Sequence, residues 1–302
     1  MAPSRLTGPA LAGSAAIAIG SSFVALRVLV RYPFLGGQAI RYGLASVAIA
    51  AARRLLRQPL VRPTRNELVR LSLLATVGQV GFNLAVLSAL QSAEPAAVGA
   101  IVGCVPVVLA VAVAISHRRA PSRRMMVAAV VVVMGALIVQ GLGHSDGAGL
   151  LKSLGALAAE AAFSLLALPL LPRLGPGLVS MYACAAAAVE LTILAAISGG
   201  GGALRAPTAG EGLALAYLAL VVTAAAFVGW YAGVLRLGAD RAGLFAGLIP
   251  VSAALAAPLF GTGRLGLPEI AGSVLVGLGV AFGISGSVGA DAVAVPRRGD
   301  GT

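Results

Sequence analysis

AIVGCVPVVLAV (residues 100–111) and FAGLIPVSAALA (residues 245–256) decide how this chain is read. Each is an apolar stretch interrupted by one proline, and the two prolines, Pro106 and Pro250, stand 144 residues apart. The same offset joins Gly99 to Gly243, Gly135 to Gly279, Val130 to Val274, Val132 to Val276, Leu71 to Leu215 and Ala12 to Ala156. Any one pair of small residues matches easily by chance. A register shared from one end of the chain to the other points to an internal duplication.

Composition says where the duplicated unit lives. Of the 302 residues, 59% are hydrophobic and 11% charged, and the mean hydropathy is +0.98. A water-soluble domain carries about 25% charged residues to keep its surface solvated. This chain is therefore expected to be an all-α integral membrane protein. A formal net charge of +12 raises the question of nucleic acid. Its basic residues, however, fall between apolar runs, and aromatics make up only 5%, so no solvated reading face is present and no nucleic-acid partner is expected. Cys104 and Cys184 lie inside apolar runs without metal-ligand spacing and read as small packing residues. No cofactor or metal is expected. Arg5 followed by LTGPALAGSAAIAIG resembles a secretory leader, but its counterpart deep in the chain makes it the first span of the fold instead.

A helix needs about 20 apolar residues to cross hydrocarbon, and runs of that length appear at roughly 10–30, 34–52, 70–91, 96–115, 125–143, 151–171, 178–198, 212–235, 242–261 and 268–288. The expected architecture is ten transmembrane helices as two five-helix repeats, 10–143 and 151–288. They are joined by a loop at 144–150 and flanked by tails at 1–9 and 289–302. An odd number of helices per repeat makes the second repeat enter the bilayer from the opposite side, so the repeats are inverted. Sixteen of the 22 basic residues then fall on the side of the N-terminus: Arg5, Arg53, Arg54, Arg57, Arg62, Arg65, Arg70, Arg118, Arg119, Arg123, Arg124, Arg173, Arg236, Arg241, Arg297 and Arg298. Arg27, Arg31, Lys152, Arg205 and Arg264 fall on the other side, and Arg41 lies within the membrane. The positive-inside rule places both termini in the cytoplasm and the protein in the cell membrane.

GSSFVALR (20–27), AIRYGLASVAIA (39–50), SAEPAAVGAIVGCVPVVLAV (92–111) and LGADRAGLFAGLIPVSAALAAPLF (237–260) resemble EamA-type transporters of the drug/metabolite transporter superfamily. The resemblance covers nearly the whole chain. It implies a ten-helix fold of two inverted repeats that exports amino acids, metabolites or drugs, and it implies a role for Arg41, which matches an arginine often found in the second helix. The chain departs from the pattern at ISHRRAPS (115–122) and FGTGRLGLPE (260–269), where members commonly carry Gly-Glu before a proline. Ile19 and Phe163 stand where tryptophans are often found.

Three ionisable residues fall within the spans: Arg41, Glu160 and Glu190. A charge at a helix centre costs about 2.5–3.5 kcal/mol on translocon scales, so such residues usually face a partner or a cavity. At a rise of roughly 1.5 Å per residue, Arg41 is expected about 10 Å from the outer end of its helix, Glu160 about 13 Å into its own, and Glu190 about 12 Å below the outer end of its helix, all in one layer. The expectation is that Arg41 pairs with one glutamate while the other binds a proton or a cationic substrate group. A buried carboxylate can hold its proton near neutral pH, which permits proton coupling. The plain alternative is an ion pair that fixes helix packing.

Gln38 shares the face of Arg41 at i−3, whereas Tyr42 does not. Gln79 and Asn83, four apart, share a face and are expected either to bond substrate or to brace a neighbouring helix. Trp230 and Tyr231 offer an aromatic wall or plain packing. Pro106 and Pro250 are expected to kink equivalent helices, and Pro169 and Pro172 to end the sixth. Gly279 and Gly283 form a GxxxG spacing for close helix approach, within the chain or across a homodimer. His117 and His144 read as ordinary loop residues.

A membrane enzyme would need clustered acid–base or metal-binding residues, and the scattered acidic residues and two histidines supply none. No P-loop is present for ATP hydrolysis, and no charge ring or repeated filter for a channel. The expectation is a secondary transporter of a small-molecule solute in the lipid bilayer, working by alternating access, as inverted repeats often do. Amino-acid-like solutes suit both signs of charge. The alternative is a lipid flippase or non-transporting scaffold on the same fold.

Overall fold

Hydrocarbon offers no hydrogen bonds, so a backbone crossing it must satisfy its own polar groups, and an isolated apolar run can do so only as helix. The computed structural model of the chain describes residues 7–198, 205–256, 258 and 265–285. Ten helical segments follow in order: α1 (Thr7–Val28), α2 (Phe34–Leu55), α3 (Arg65–Ala89), α4 (Pro95–Ser116), α5 (Arg123–Gln140), α6 (Gly147–Leu165), α7 (Leu171–Ile197), α8 (Ala209–Leu237), α9 (Ala239–Ala256) and α10 (Leu267–Ile284). No strand occurs among the described residues, only one isolated bridge between Ala93 and Ser145. Nine of the segments are long and apolar enough to span a membrane. The exception is α2, whose 22 residues suffice in length but include Gln38, Arg41, Arg53 and Arg54. Arg5, Arg264, Arg297 and Arg298, and the tails at 1–6 and 289–302, lie outside the described residues.

The packing follows the duplication. Helix α1 packs on α8 and α6 on α3, while α2 packs on α7, α4 on α9 and α5 on α10. The 144-residue offset exchanges the first two interfaces and maps each of the other three onto itself. At the α5–α10 crossing, a Cβ on Gly135 would lie 2.7 Å from the Gly272 carbonyl oxygen, and one on Gly272 would lie 2.6 Å from that of Gly135. Close backbone approach of this kind is what small residues permit in a membrane. Gly279 and Gly283 face Val132 and Leu244 respectively, so the GxxxG spacing is used inside the chain.

Irregular backbone recurs at equivalent places. Helix α4 breaks at Gly103–Cys104, with Pro106 in the first turn of its second half. Helix α9 passes through a 3₁₀ turn, Phe245–Gly247, with Pro250 just beyond it. Proline fits the first turn of a helix, where its missing N–H costs nothing. Helices α3 and α8 each contain an eight-residue π-helical segment, Leu74–Gly81 and Leu218–Ala225, and the 144-residue offset superimposes their bounds. One expectation needs correction. Helix α6 ends at Leu165, so Pro169 lies in the connecting turns and Pro172 opens α7 instead of closing α6. The first turn of α7 is offset from the rest by Gly175, whose φ of 73° breaks the helix before Pro176.

Candidate functional site

The centre of the bundle is built where α2 meets the π segment of α8. Arg41 follows Gln38 by three residues, so both point the same way from α2. Arg41 Nε donates to Thr223 Oγ1 at 2.6 Å, and Arg41 Nη1 reaches Gln38 Oε1 at 3.4 Å. The guanidinium also sits 5.4 Å from the ring centroid of Tyr42. Thr223 is fully buried within the π segment. A π turn is wider than an α turn and is frequent at functional sites.

On the other side of Tyr42, Asn83 Nδ2 donates both to the Tyr42 hydroxyl at 2.9 Å and to the Gln79 carbonyl at 2.8 Å. Gln79 is 1% exposed, and neither its side-chain oxygen nor its nitrogen has a hydrogen-bond partner among the described residues. Gln79 and Thr223 occupy equivalent positions in the two repeats, each in its π segment. Aromatic rings close the centre: Phe163 lies 4.8 Å from Phe227 and 4.9 Å from Tyr231, and Phe227 lies 6.4 Å from Tyr42. Trp230 Nε1 donates to Ser164 Oγ at 3.0 Å, and the Tyr231 hydroxyl donates to the Phe163 carbonyl at 3.1 Å. Both aromatic residues thereby tie α8 to α6 by their polar ends.

The expected pairing of Arg41 with a glutamate is not what the structure shows. Among the described residues, the ion pairs are Glu67–Arg173 and Glu211–Arg205. A buried hydroxyl and an amide satisfy Arg41 instead, because α8 presents Thr223 where its π turn meets α2. Glu160 has no hydrogen-bond or ion-pair partner among the described residues, yet it lies close enough to Tyr42 and Tyr231 to interact electrostatically with both. Because α6 begins at Gly147, Glu160 is about 20 Å into its helix, deeper than expected. Glu190 is elsewhere, on the face of α7 that meets α3, and its Oε1 accepts from the Thr76 hydroxyl at 3.0 Å. Arg41 and Glu160 are thus not paired with each other, and Glu190 lies on a different helix face, bonded to Thr76. No group of three or more metal-ligating side chains occurs among the described residues.

Sequence reasoning missed the two faces of the bundle. Pro63-Thr64…Glu67 and Pro207-Thr208…Glu211 are the same motif at the 144-residue offset, and each forms a capping box at the start of its helix. Thr64 N donates to Glu67 at 2.8 Å, and Thr208 N to Glu211 at 2.8 Å. Each glutamate then binds an arginine. Arg173 Nε donates to Glu67 at 2.5 Å, and Arg173 Nη2 donates to Glu67 and, at 3.1 Å, to the Arg62 carbonyl. Arg205 forks onto Glu211, with Nη1 at 2.7 Å. A tyrosine from the opposite repeat completes each end. The Tyr182 hydroxyl donates to the Val61 carbonyl at 3.2 Å, and that of Tyr32 to the Arg205 carbonyl at 2.7 Å, with the Arg205 guanidinium 4.7 Å over the Tyr32 ring. Val61 and Arg205 are themselves equivalent positions. The repeats are thus latched together at both ends. The T-x-x-E pattern preceding an apolar run was the available signal.

A crystal structure known only as that of a protein superimposes on the chain with a TM-score of 0.81 at 18% identity, covering 93% of this chain and 98% of that one, which establishes a shared fold. The uncharacterized transporter YetK of Bacillus subtilis (strain 168) is 24% identical over 253 residues, spanning 81% of this chain and 76% of YetK. The EamA-like transporter family matches twice, over residues 6–140 and 147–284, one match for each repeat. With both repeats matched and the helices packed as the duplication requires, the chain belongs to the EamA-like transporter family.

Proposed function

We propose that the protein is a secondary transporter that moves a small solute carrying an amino group by alternating access, with Arg41 and Glu160 as its recognition pair. The observation that carries this reading is Glu160: a carboxylate well inside the span of α6, within electrostatic reach of the buried Tyr42 and Tyr231, with no hydrogen-bond or ion-pair partner of its own among the described residues. An intramembrane charge left without a protein partner is a functional group by default. Arg41, already held by Thr223 and Gln38, keeps further N–H donors for a solute carboxylate. An amino acid or small amine meets both groups. A carboxylate alternating between a proton and a cationic group couples the solute to the proton gradient without ATP.

The two latches supply the alternation. One joins the repeats through the Glu67–Arg173 pair and the Tyr182–Val61 bond, the other through Tyr32 bonded to the Arg205 carbonyl and lying under the guanidinium that Glu211 of the same repeat holds, so releasing one while the other holds opens a single side. The arginine bias supports a reading with both termini in the cytoplasm and the protein in the cell membrane, with export as its direction. The test is uptake of labelled amino acids and amines by vesicles containing purified protein and preloaded with the unlabelled compound. Exchange that is abolished in Glu160→Gln supports the reading; exchange that Glu160→Gln leaves intact contradicts it.

A further inference from the structure

The inverted repeat is chemically unequal at one place. In one half, Arg41 of α2 donates to Thr223 in the π segment of α8. The residues equivalent to Arg41 and Thr223 in the other half are Ala185 of α7 and Gln79 in the π segment of α3. One half fills this position with its own guanidinium. The other puts a methyl group there, and the Gln79 amide has no partner.

Ala185 lines a crevice of about 410 Å³ between α3 and α7, together with Leu71, Ser72, Tyr182, Val189 and Glu190. No basic side chain among the described residues lines it. The walls are otherwise mostly apolar, and the crevice opens toward the lipid, where Val189 is 60% exposed. From Tyr182 to Glu190 it runs roughly 12 Å along α7. The carboxylate at its far end is oriented by Thr76, whose hydroxyl lies 3.0 Å from Glu190 Oε1. Apolar walls with one placed ionisable group are the usual make-up of a small-molecule pocket.

We propose that this crevice binds lipophilic monocations, amines or quaternary ammonium ions bearing an alkyl or aryl tail, that enter sideways from the bilayer and set their charge against Glu190. The tail lies along Leu71, Tyr182 and Ala185, and the cationic head sits against Glu190 at the far end of the crevice. This site is separate from the recognition pair at the centre, and its existence does not depend on the transport reading.

The test is equilibrium dialysis of radiolabelled hexyltrimethylammonium at pH 8 against protein in phosphatidylcholine nanodiscs, with empty nanodiscs as the blank. Saturable binding is expected. Binding is read in a Glu160→Gln background, so that the central carboxylate does not contribute; there Glu190→Gln weakens it at least tenfold, and Ala185→Leu does the same by filling the crevice with the carboxylate retained. The fluorescence of Trp230, the single tryptophan, reports that each variant is folded. Equal binding in that background with and without Glu190→Gln overturns the proposal. So does displacement by hexanol as effective as by the unlabelled cation, which would make the crevice a lipid-filled groove. Loss of transport in Glu160→Gln with binding intact separates this site from the central one.

Discussion

Gln79 and Thr223 occupy the same place in the two repeats, both deeply buried in π segments, and their replacement by apolar residues of similar size is predicted to act in opposite directions. Gln79 buries one amide whose oxygen and nitrogen both lack partners among the described residues, at 1% exposure. An unmade hydrogen bond in the interior costs about 1–3 kcal/mol, so Gln79→Leu should stabilise the protein by roughly that amount. Thr223 accepts from a cation at 2.6 Å. A hydrogen bond to a charged group contributes about 1.5–3 kcal/mol, so Thr223→Val should destabilise by a similar amount. Trp230 is buried and bonded to Ser164 of α6, the helix that packs on the π segment of α3, and its fluorescence follows unfolding without a label. Thermal or denaturant unfolding in detergent micelles, monitored at Trp230, gives both signs in one assay. If Gln79→Leu unfolds as early as Thr223→Val, the Gln79 amide is engaged in the resting protein, and the account of the unequal repeat fails. If Gln79 also contacts solute, the stabilised variant should transport more slowly, the usual exchange of activity for stability at a strained site.

The remaining predictions concern the latches, Arg41 and the α5–α10 crossing. Glu67→Gln and Glu211→Gln each remove the charge from one latch, and should increase the reactivity of a cysteine placed in the centre toward membrane-impermeant reagents added on that latch's side alone. Equal increases on both sides in both variants would show that the latches are not gates. High salt, which screens exposed pairs, should move wild type in the same direction as these variants. Arg41→Lys keeps the charge but loses the planar fork and the Nε–H held by Thr223, and should lose most solute exchange; retained exchange would show that charge alone suffices. Gly135→Ala places a methyl group 2.7 Å from the Gly272 carbonyl oxygen, an overpacking expected to cost about 1–3 kcal/mol, read as earlier unfolding in the Trp230 assay.

The duplication was legible because offset identity survives in residues that packing constrains, such as Gly135 and Gly279, which sit in the same crossing. Hydropathy located the spans for the same reason that they exist: hydrocarbon excludes everything else. Arg41, Glu160 and Glu190 stood out by rarity, but the partners of Arg41 and Glu190 did not. Charges in a sequence invite pairing with each other, whereas the folded chain met Arg41 with Thr223, a residue that looks like packing in an apolar run. The π segments were illegible because an i+5 turn depends on tertiary contacts and leaves no periodic trace. Helix ends were misplaced at Pro172 because a proline opens a helix as readily as it closes one. The PTRNE and PTAGE boxes were visible at the same 144-residue offset, and their role became evident only with Arg173 and Arg205 beside them.

The central claim is that Glu160 alternates between a proton and a cationic solute at the interface of two repeats. Purified protein in vesicles holding a pH-sensitive dye, challenged with pools of amino acids and amines, tests it most directly. Proton movement that requires solute in wild type, and vanishes in Glu160→Gln and Arg41→Ala variants that still fold, is the predicted result. Labelled solute crossing with no proton signal, at equal rates in wild type and Glu160→Gln, would contradict it.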